Sequence, residues 1–156
     1  EDDLMSNARD FLKKAKTMNV SVHLPVDQMV AQTFSKDAPS EAKGIGQFSD
    51  TDMGLDIGPK SIEQFRQIIE NCQTILWNGP MGVFEMPQFS TGTQLIARCL
   101  STHSGTTIVG GGDSVAAINQ LDLGDSFTHV STGGGACLEF LEGRVLPGIS
   151  ALKGTS

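Results

Sequence analysis

The sequence predicts an α/β domain in three layers, a parallel sheet with helices on both faces. Three observations lead there. Short apolar runs without clean alternation, such as Thr74-Ile75-Leu76-Trp77, read as strands buried on both sides. Between them lie stretches whose apolar residues recur with the helical period. Glycine, at 18 of 156 residues, is enriched over the usual ~7% and falls in tight groups directly after the strand-like runs.

Residues 3–18 read as a helix with Leu4, Ala8, Phe11, Leu12 and Ala15 on one apolar stripe. Residues 20–24 read as a strand stopped by Pro25, and a second apolar stretch follows at 29–34. The polar segment 35–52 reads as a long excursion or a small antiparallel addition. Pro59 fits the first turn of a helix running to about Asn71, buried through Ile62, Phe65, Ile68 and Ile69. The strand ending at Trp77 is broken by Asn78-Gly79-Pro80. A helix over 88–101 is expected to bury Phe89, Leu95, Ile96 and Leu100. Strands at 106–109 and 127–130 follow, the first leading to a short helix near Asp113-Ser114 and the second to a helix through Glu142.

Composition narrows the function. The length suits one domain with a real core. A net charge of −7 speaks against a nucleic-acid partner, and Lys13, Lys14 and Lys16 read as a solvated helix face. No apolar run is long enough to span a bilayer, and Glu1-Asp2-Asp3 is the opposite of a signal peptide. Cys72, Cys99 and Cys137 have no metal or disulfide spacing and read as buried free thiols; the three histidines show no ligand spacing either.

The chemistry is expected at the carboxyl ends of the strands, where open α/β sheets bind ligands. Glycine-bearing turns stand there three times: Asn78-Gly79-Pro80-Met81-Gly82, Gly110-Gly111-Gly112-Asp113-Ser114, and Ser131-Thr132-Gly133-Gly134-Gly135. Helix starts leave unpaired amides and carry partial positive charge, and glycines let phosphate oxygens approach the backbone. Two such starts on adjacent strands would hold a polyphosphate. Asp113 reads either as a helix cap or as a carboxylate that accepts phosphate through a bridging Mg²⁺ ion. Ser114 reads equally as a cap or a phosphate donor. There is no G-x-x-x-x-G-K-[ST] loop, no dinucleotide fingerprint and no G-x-S-x-G elbow.

The run Ile75-Leu76-Trp77-Asn78-Gly79-Pro80-Met81-Gly82-Val83-Phe84-Glu85 resembles the phosphoglycerate kinase family. So do Leu24-Pro25-Val26-Asp27, the segment from Met53 through Pro59, Gly110-Gly111-Gly112-Asp113-Ser114, and the segment from His129 through Glu142, in matching order and spacing. The resemblance implies two Rossmann-like domains, one for 3-phosphoglycerate and one for Mg-ADP or Mg-ATP. Residues 1–156 would be the later part of the nucleotide-binding domain, with the substrate domain absent from this chain.

By that resemblance, Leu55 and Val83 pack against adenine near Gly54, Asn78 and Pro80 line the nucleotide site, and Glu85 accepts from ribose hydroxyls. Gly111, Gly112, Asp113 and Ser114 meet the phosphates and Mg²⁺, while Gly133, Gly134 and Gly135 face the phosphoryl group in transfer. Read from the residues alone, Leu55 and Val83 are core positions, Glu85 a solvated loop acid, and Asp27 either a structural hydrogen-bond partner or a ligand. The family's glycine-lysine segment is missing: neither Lys36, Lys43 nor Lys60 stands in one. The expected parent is a cytoplasmic, monomeric kinase of glycolysis. A non-catalytic nucleotide-binding relative and an interaction module are the other readings.

Overall fold

The computed structural model describes residues 4–131, 133–152 and 154; Glu1-Asp2-Asp3 and Thr132 lie outside the described residues. The element order is α1 (Met5–Thr17), β1 (Asp27–Ala31), β2 (Ser40–Gly44), β3 (Met53–Ile57), α2 (Pro59–Glu70), β4 (Thr74–Asn78), α3 (Thr91–Ser101), β5 (Thr106–Gly110), α4 (Gly112–Gln120), β6 (His129–Ser131), α5 (Gly134–Leu141) and α6 (Pro147–Leu152). Strands β4, β5 and β6 form a parallel sheet with β5 in the middle, joined by α3 and α4 as crossovers.

The earlier strands form a separate sheet in the order β2-β1-β3, with both pairings antiparallel. The polar excursion thus contributes a true hairpin arm, and the segment from Met53 onward is a strand that its glycines and acid had disguised. Residues 20–24, expected as a strand, find no ladder partner among the described residues. A lone extended segment cannot satisfy its own amides, and β1 turns away from it to pair with β2 and β3.

The main core lies between the parallel sheet and α2, α3 and α4. It is built on Trp77 and Val109 from the strands and Ile62, Ile96, Leu100 and Ile118 from the helices. Pro59 does occupy the first turn of α2, and Phe65 and Ile69 pack on that core. On α3 the buried stripe is Thr93, Ile96, Ala97 and Leu100, whereas Leu95 is exposed. One residue of helix is about 100° of rotation, which carries Leu95 off the Ile96 stripe. The expected face of α1 is also uncovered: Ala15 is buried, but Leu4, Ala8, Phe11 and Leu12 are exposed. Nothing in the described residues packs over that stripe. The cysteines are free thiols, half-buried rather than buried as expected, because they sit on helix flanks and ends and not on the core stripe.

A second, smaller core joins Ala31, Ala38, Leu55 and Phe89, with Met29, Met53, Val83 and Met86 around it. It fixes the antiparallel sheet to the loop that follows β4.

Candidate functional site

Parallel pairing dictates where the glycine turns go. Asn78 lies opposite Gly110, and Gly110 lies opposite Ser131, so all three strands end at one level on one edge. The turns leave that edge side by side. Had they emerged on different sides, no common ligand could have touched them.

Two of the turns are joined directly. The Gly79 amide donates to the Ser114 hydroxyl at 2.6 Å. Gly111, the N-cap of α4, has φ 91°, a left-handed conformation that glycine adopts without strain. Its missing side chain matters twice, because a Cβ there would run into the Asn78 Oδ1. Ser114 is fully buried and makes no cap bond for α4, so its hydroxyl acts as the clasp between turns.

Helix α4 begins its own ladder with Val115 N to Gly111 O at 3.0 Å, and α5 with Cys137 N to Gly133 O at 2.9 Å. The amides before those residues have no intrahelical acceptor. Around Gly112 and Gly135 the space is open, so a ligand reaches this backbone unobstructed. Asp113 stands in the first turn of α4, exposed, without a hydrogen bond or ion pair among the described residues. It is therefore not a cap. No group of three or more potential metal-ligating side chains occurs among the described residues, so Asp113 offers one carboxylate, not a closed metal cage.

A second group of expected site residues meets nearby. Gly54, Leu55, Pro80 and Val83 line a shallow cavity of about 320 Å³. Pro80 belongs to the turn that holds Asn78 and Gly79, so one turn contributes to both the cavity and the glycine edge. Leu55 is also a core residue, buried against Phe89, and the Val83 amide donates to the Leu55 carbonyl at 2.8 Å. The Gln28 side chain lies over Gly54. Glu85 does not join this group: it is exposed and lines a different cavity of about 200 Å³ with Phe84, Gln94 and Gln120.

Two buried acids hold this frame. Asp27 accepts from the Ser61 amide at 2.8 Å, the Lys60 amide at 3.0 Å and the Ser61 hydroxyl at 2.7 Å. It caps α2 from outside, since the N-cap Gly58 has no side chain to do so. That settles Asp27 as structural. Burial by itself would raise its pKa, but the bonds from Ser61 and Lys60 hold the carboxyl below the usual range. Asp56 accepts from the Ile57 amide at 2.8 Å and from the Gly92 amide of α3 at 2.7 Å. Here burial prevails over the two amides and raises the pKa to about 6. Asp56 escaped the sequence reading, although an acid flanked by Leu55 and Ile57 in an apolar run was a usable signal.

With this geometry in hand, the likenesses to known proteins are informative. The family model described as Phosphoglycerate kinase matches residues 1–144. A relative from a Synechococcus strain, named phosphoglycerate kinase, is 53% identical over 155 residues, 97% of this chain and 38% of its own length. One from Dictyoglomus turgidum with the same name is 49% identical over 154 residues, 98% of this chain and 39% of its own length. The solved structure of phosphoglycerate kinase from Coxiella burnetii superposes with a TM-score of 0.89 at 41% identity, covering 93% of this chain and 38% of that one. The one from Pyrococcus horikoshii gives 0.82 at 30% identity, covering 97% of this chain and 36% of that one. The chain thus spans about 38% of the length of the first relative it matches.

Proposed function

The chain belongs to the phosphoglycerate kinase family, and from that premise we propose that residues 1–156 form the C-terminal part of a nucleotide-binding domain in a longer enzyme. That enzyme transfers a phosphoryl group reversibly between ATP and the carboxylate of 3-phosphoglycerate, yielding ADP and 1,3-bisphosphoglycerate, in glycolysis. The observation that carries this reading is the register of Asn78, Gly110 and Ser131, which sets three glycine turns on one edge.

The base of ADP or ATP occupies the cavity between Leu55 and Val83, with Gly54 and Pro80 at its rim. Asn78 faces the ribose side, whereas Glu85, exposed and lining the separate cavity, is not assigned a ribose contact. The polyphosphate runs along the glycine edge, where the free amides at the starts of α4 and α5 donate to its oxygens. Asp113, exposed and unpartnered, suits a Mg²⁺ ion shared with phosphate. When bound, that ion neutralises phosphate charge. Gly133, Gly134 and Gly135 face the phosphoryl group, and their backbone excludes nothing from its equatorial oxygens. The acceptor is a carboxylate, ionised at neutral pH, so no general base is needed; alignment and charge neutralisation suffice. The substrate domain, outside this chain, brings 3-phosphoglycerate and further cations by closure. No described helix is long and apolar enough to cross a membrane, and we assign the whole protein to the cytoplasm as a monomer.

Calorimetric titration of the 156-residue chain and of the full-length protein with ADP, with and without Mg²⁺, tests the reading. Weak Mg-dependent binding by the chain without kinase turnover, and tight binding with turnover by the full-length protein, are expected. Turnover by the chain alone at the full-length rate, or no binding by either, defeats it.

A further inference from the structure

We propose that Asp56 is a positioning residue for the nucleoside end of the site, setting the distance between the Leu55 and Val83 walls. The inference rests on the assignment of the base to that cavity. Helix α3 receives no side-chain cap from its own N-cap, Ser90, whose hydroxyl donates instead to the Pro87 carbonyl at 2.8 Å. The Gly92 amide is taken by Asp56, from the antiparallel sheet, at 2.7 Å. Asp56 is only 4% exposed.

The same carboxylate also touches the loop. A Cβ at Gly82 would run into the Asp56 Oδ1, and one at Gly92 would do so as well. Beside it, the Thr93 hydroxyl accepts from the Met81 amide at 3.0 Å and the Gly82 amide at 3.3 Å. Three pieces of backbone therefore converge on one side chain: β3, the loop carrying Pro80 to Val83, and the start of α3. The cavity is lined by two of them, β3 and the loop. Val83 meets Leu55 through the 2.8 Å backbone bond between them and through the small core that both join. Asp56 lies next to both ends of that bond, following Leu55 in β3 and standing against Gly82 in the loop.

The chemistry of the group matters. A carboxylate presents two acceptor oxygens, one for Ile57 and one for Gly92. Asparagine presents one acceptor and one amino group, so one of the two amides would face a donor. A loop freed at this point shifts Val83 relative to Leu55 and leaves the glycine edge, anchored through Ser114, where it is.

The test uses the full-length protein with Asp56→Asn, Gly92→Ala, Val83→Asp and the core control Ile62→Val, on α2 away from the cavity. Melting temperature, the Kd for ADP and for inorganic tripolyphosphate, kcat, and KM for each substrate are measured. Misplacement by about an ångström near a site costs up to ~100-fold, so Asp56→Asn is expected to weaken ADP between about 10- and 100-fold. Tripolyphosphate and 3-phosphoglycerate should change by less than about twofold, and Ile62→Val should leave ADP unchanged at an equal loss of melting temperature. Gly92→Ala, which pushes the carboxylate from the other side, repeats the pattern if Asp56→Asn does not fold. Equal weakening of ADP and tripolyphosphate, or an ADP loss matched by Ile62→Val, overturns the proposal. If Val83→Asp abolishes ADP binding while Asp56→Asn leaves it intact, the positioning role alone falls. If Val83→Asp binds ADP normally, the base is elsewhere and the underlying assignment falls with it.

Discussion

The Gly79 amide and the Ser114 hydroxyl, 2.6 Å apart, tie the turn after β4 to the first turn of α4. Ser114 is fully buried, while its donor Gly79 is half-buried. Ser114→Ala should therefore destabilise the protein by about 0.5–1.5 kcal/mol, the net worth of one hydrogen bond. Urea unfolding of the full-length protein measures this. A variant as stable as the parent would show that Gly79 finds another acceptor and that the clasp is idle.

Asp113 sits one residue away and should behave in the opposite way. Its carboxylate is exposed and unpartnered, so Asp113→Ala should change stability by no more than about 0.5 kcal/mol. The Mg-dependent part of ADP binding should disappear. Titrations with and without Mg²⁺, run alongside unfolding curves, separate these effects. A stability loss in step with the binding loss would assign Asp113 to the frame and not to the ligand.

The contrast between these two neighbours explains what was legible in the sequence. The glycine edge was readable because its cause is local: a buried strand, a break, then glycines and a helix start. Parallel strands separated by helices of matching length then had one economical arrangement. The antiparallel sheet was harder, since β1 pairs with β3 about 25 residues away and the bulge at Met29 and Val30 spoils the alternation. Residues 20–24 have strand-like composition but no neighbour to pair with in the described residues. Asp27 and Asp56 were invisible as caps because each serves a helix that another segment begins. From sequence alone, Ser114 and Asp113 looked interchangeable; burial separates them.

Asp27 predicts an acid limb. Its folded-state pKa lies below the unfolded value of 3.8, so the folded state releases its proton more readily. The stability it contributes is complete above about pH 4 and is lost as pH falls through its lowered pKa. Asp27→Asn should remove much of this limb and cost stability at pH 7, because the amide can accept from only some of Lys60 N, Ser61 N and Ser61 Oγ. Thermal unfolding of both proteins between pH 2 and 7 checks it. Parallel curves would show that the carboxylate is not what links folding to protons there.

Asp56 predicts the reverse slope at higher pH. Its folded-state pKa is raised from 3.8 to about 6 by burial, against the pull of the Gly92 and Ile57 amides, and no ion pair to it occurs among the described residues. Between those values the folded protein holds the proton that the unfolded chain has released, so stability falls as pH rises from about 4 to about 6. The size of the fall is about 1–3 kcal/mol, at roughly 1.36 kcal/mol per pKa unit and discounted for relaxation. The two acids therefore give a maximum near pH 4 to 5 in their joint contribution, with Asp27 shaping the acid side and Asp56 the neutral side. In Asp56→Asn the neutral limb should flatten while the acid limb keeps its slope. If both limbs persist unchanged, another group titrates in that window and Asp56 is ionised at its ordinary pKa inside the fold.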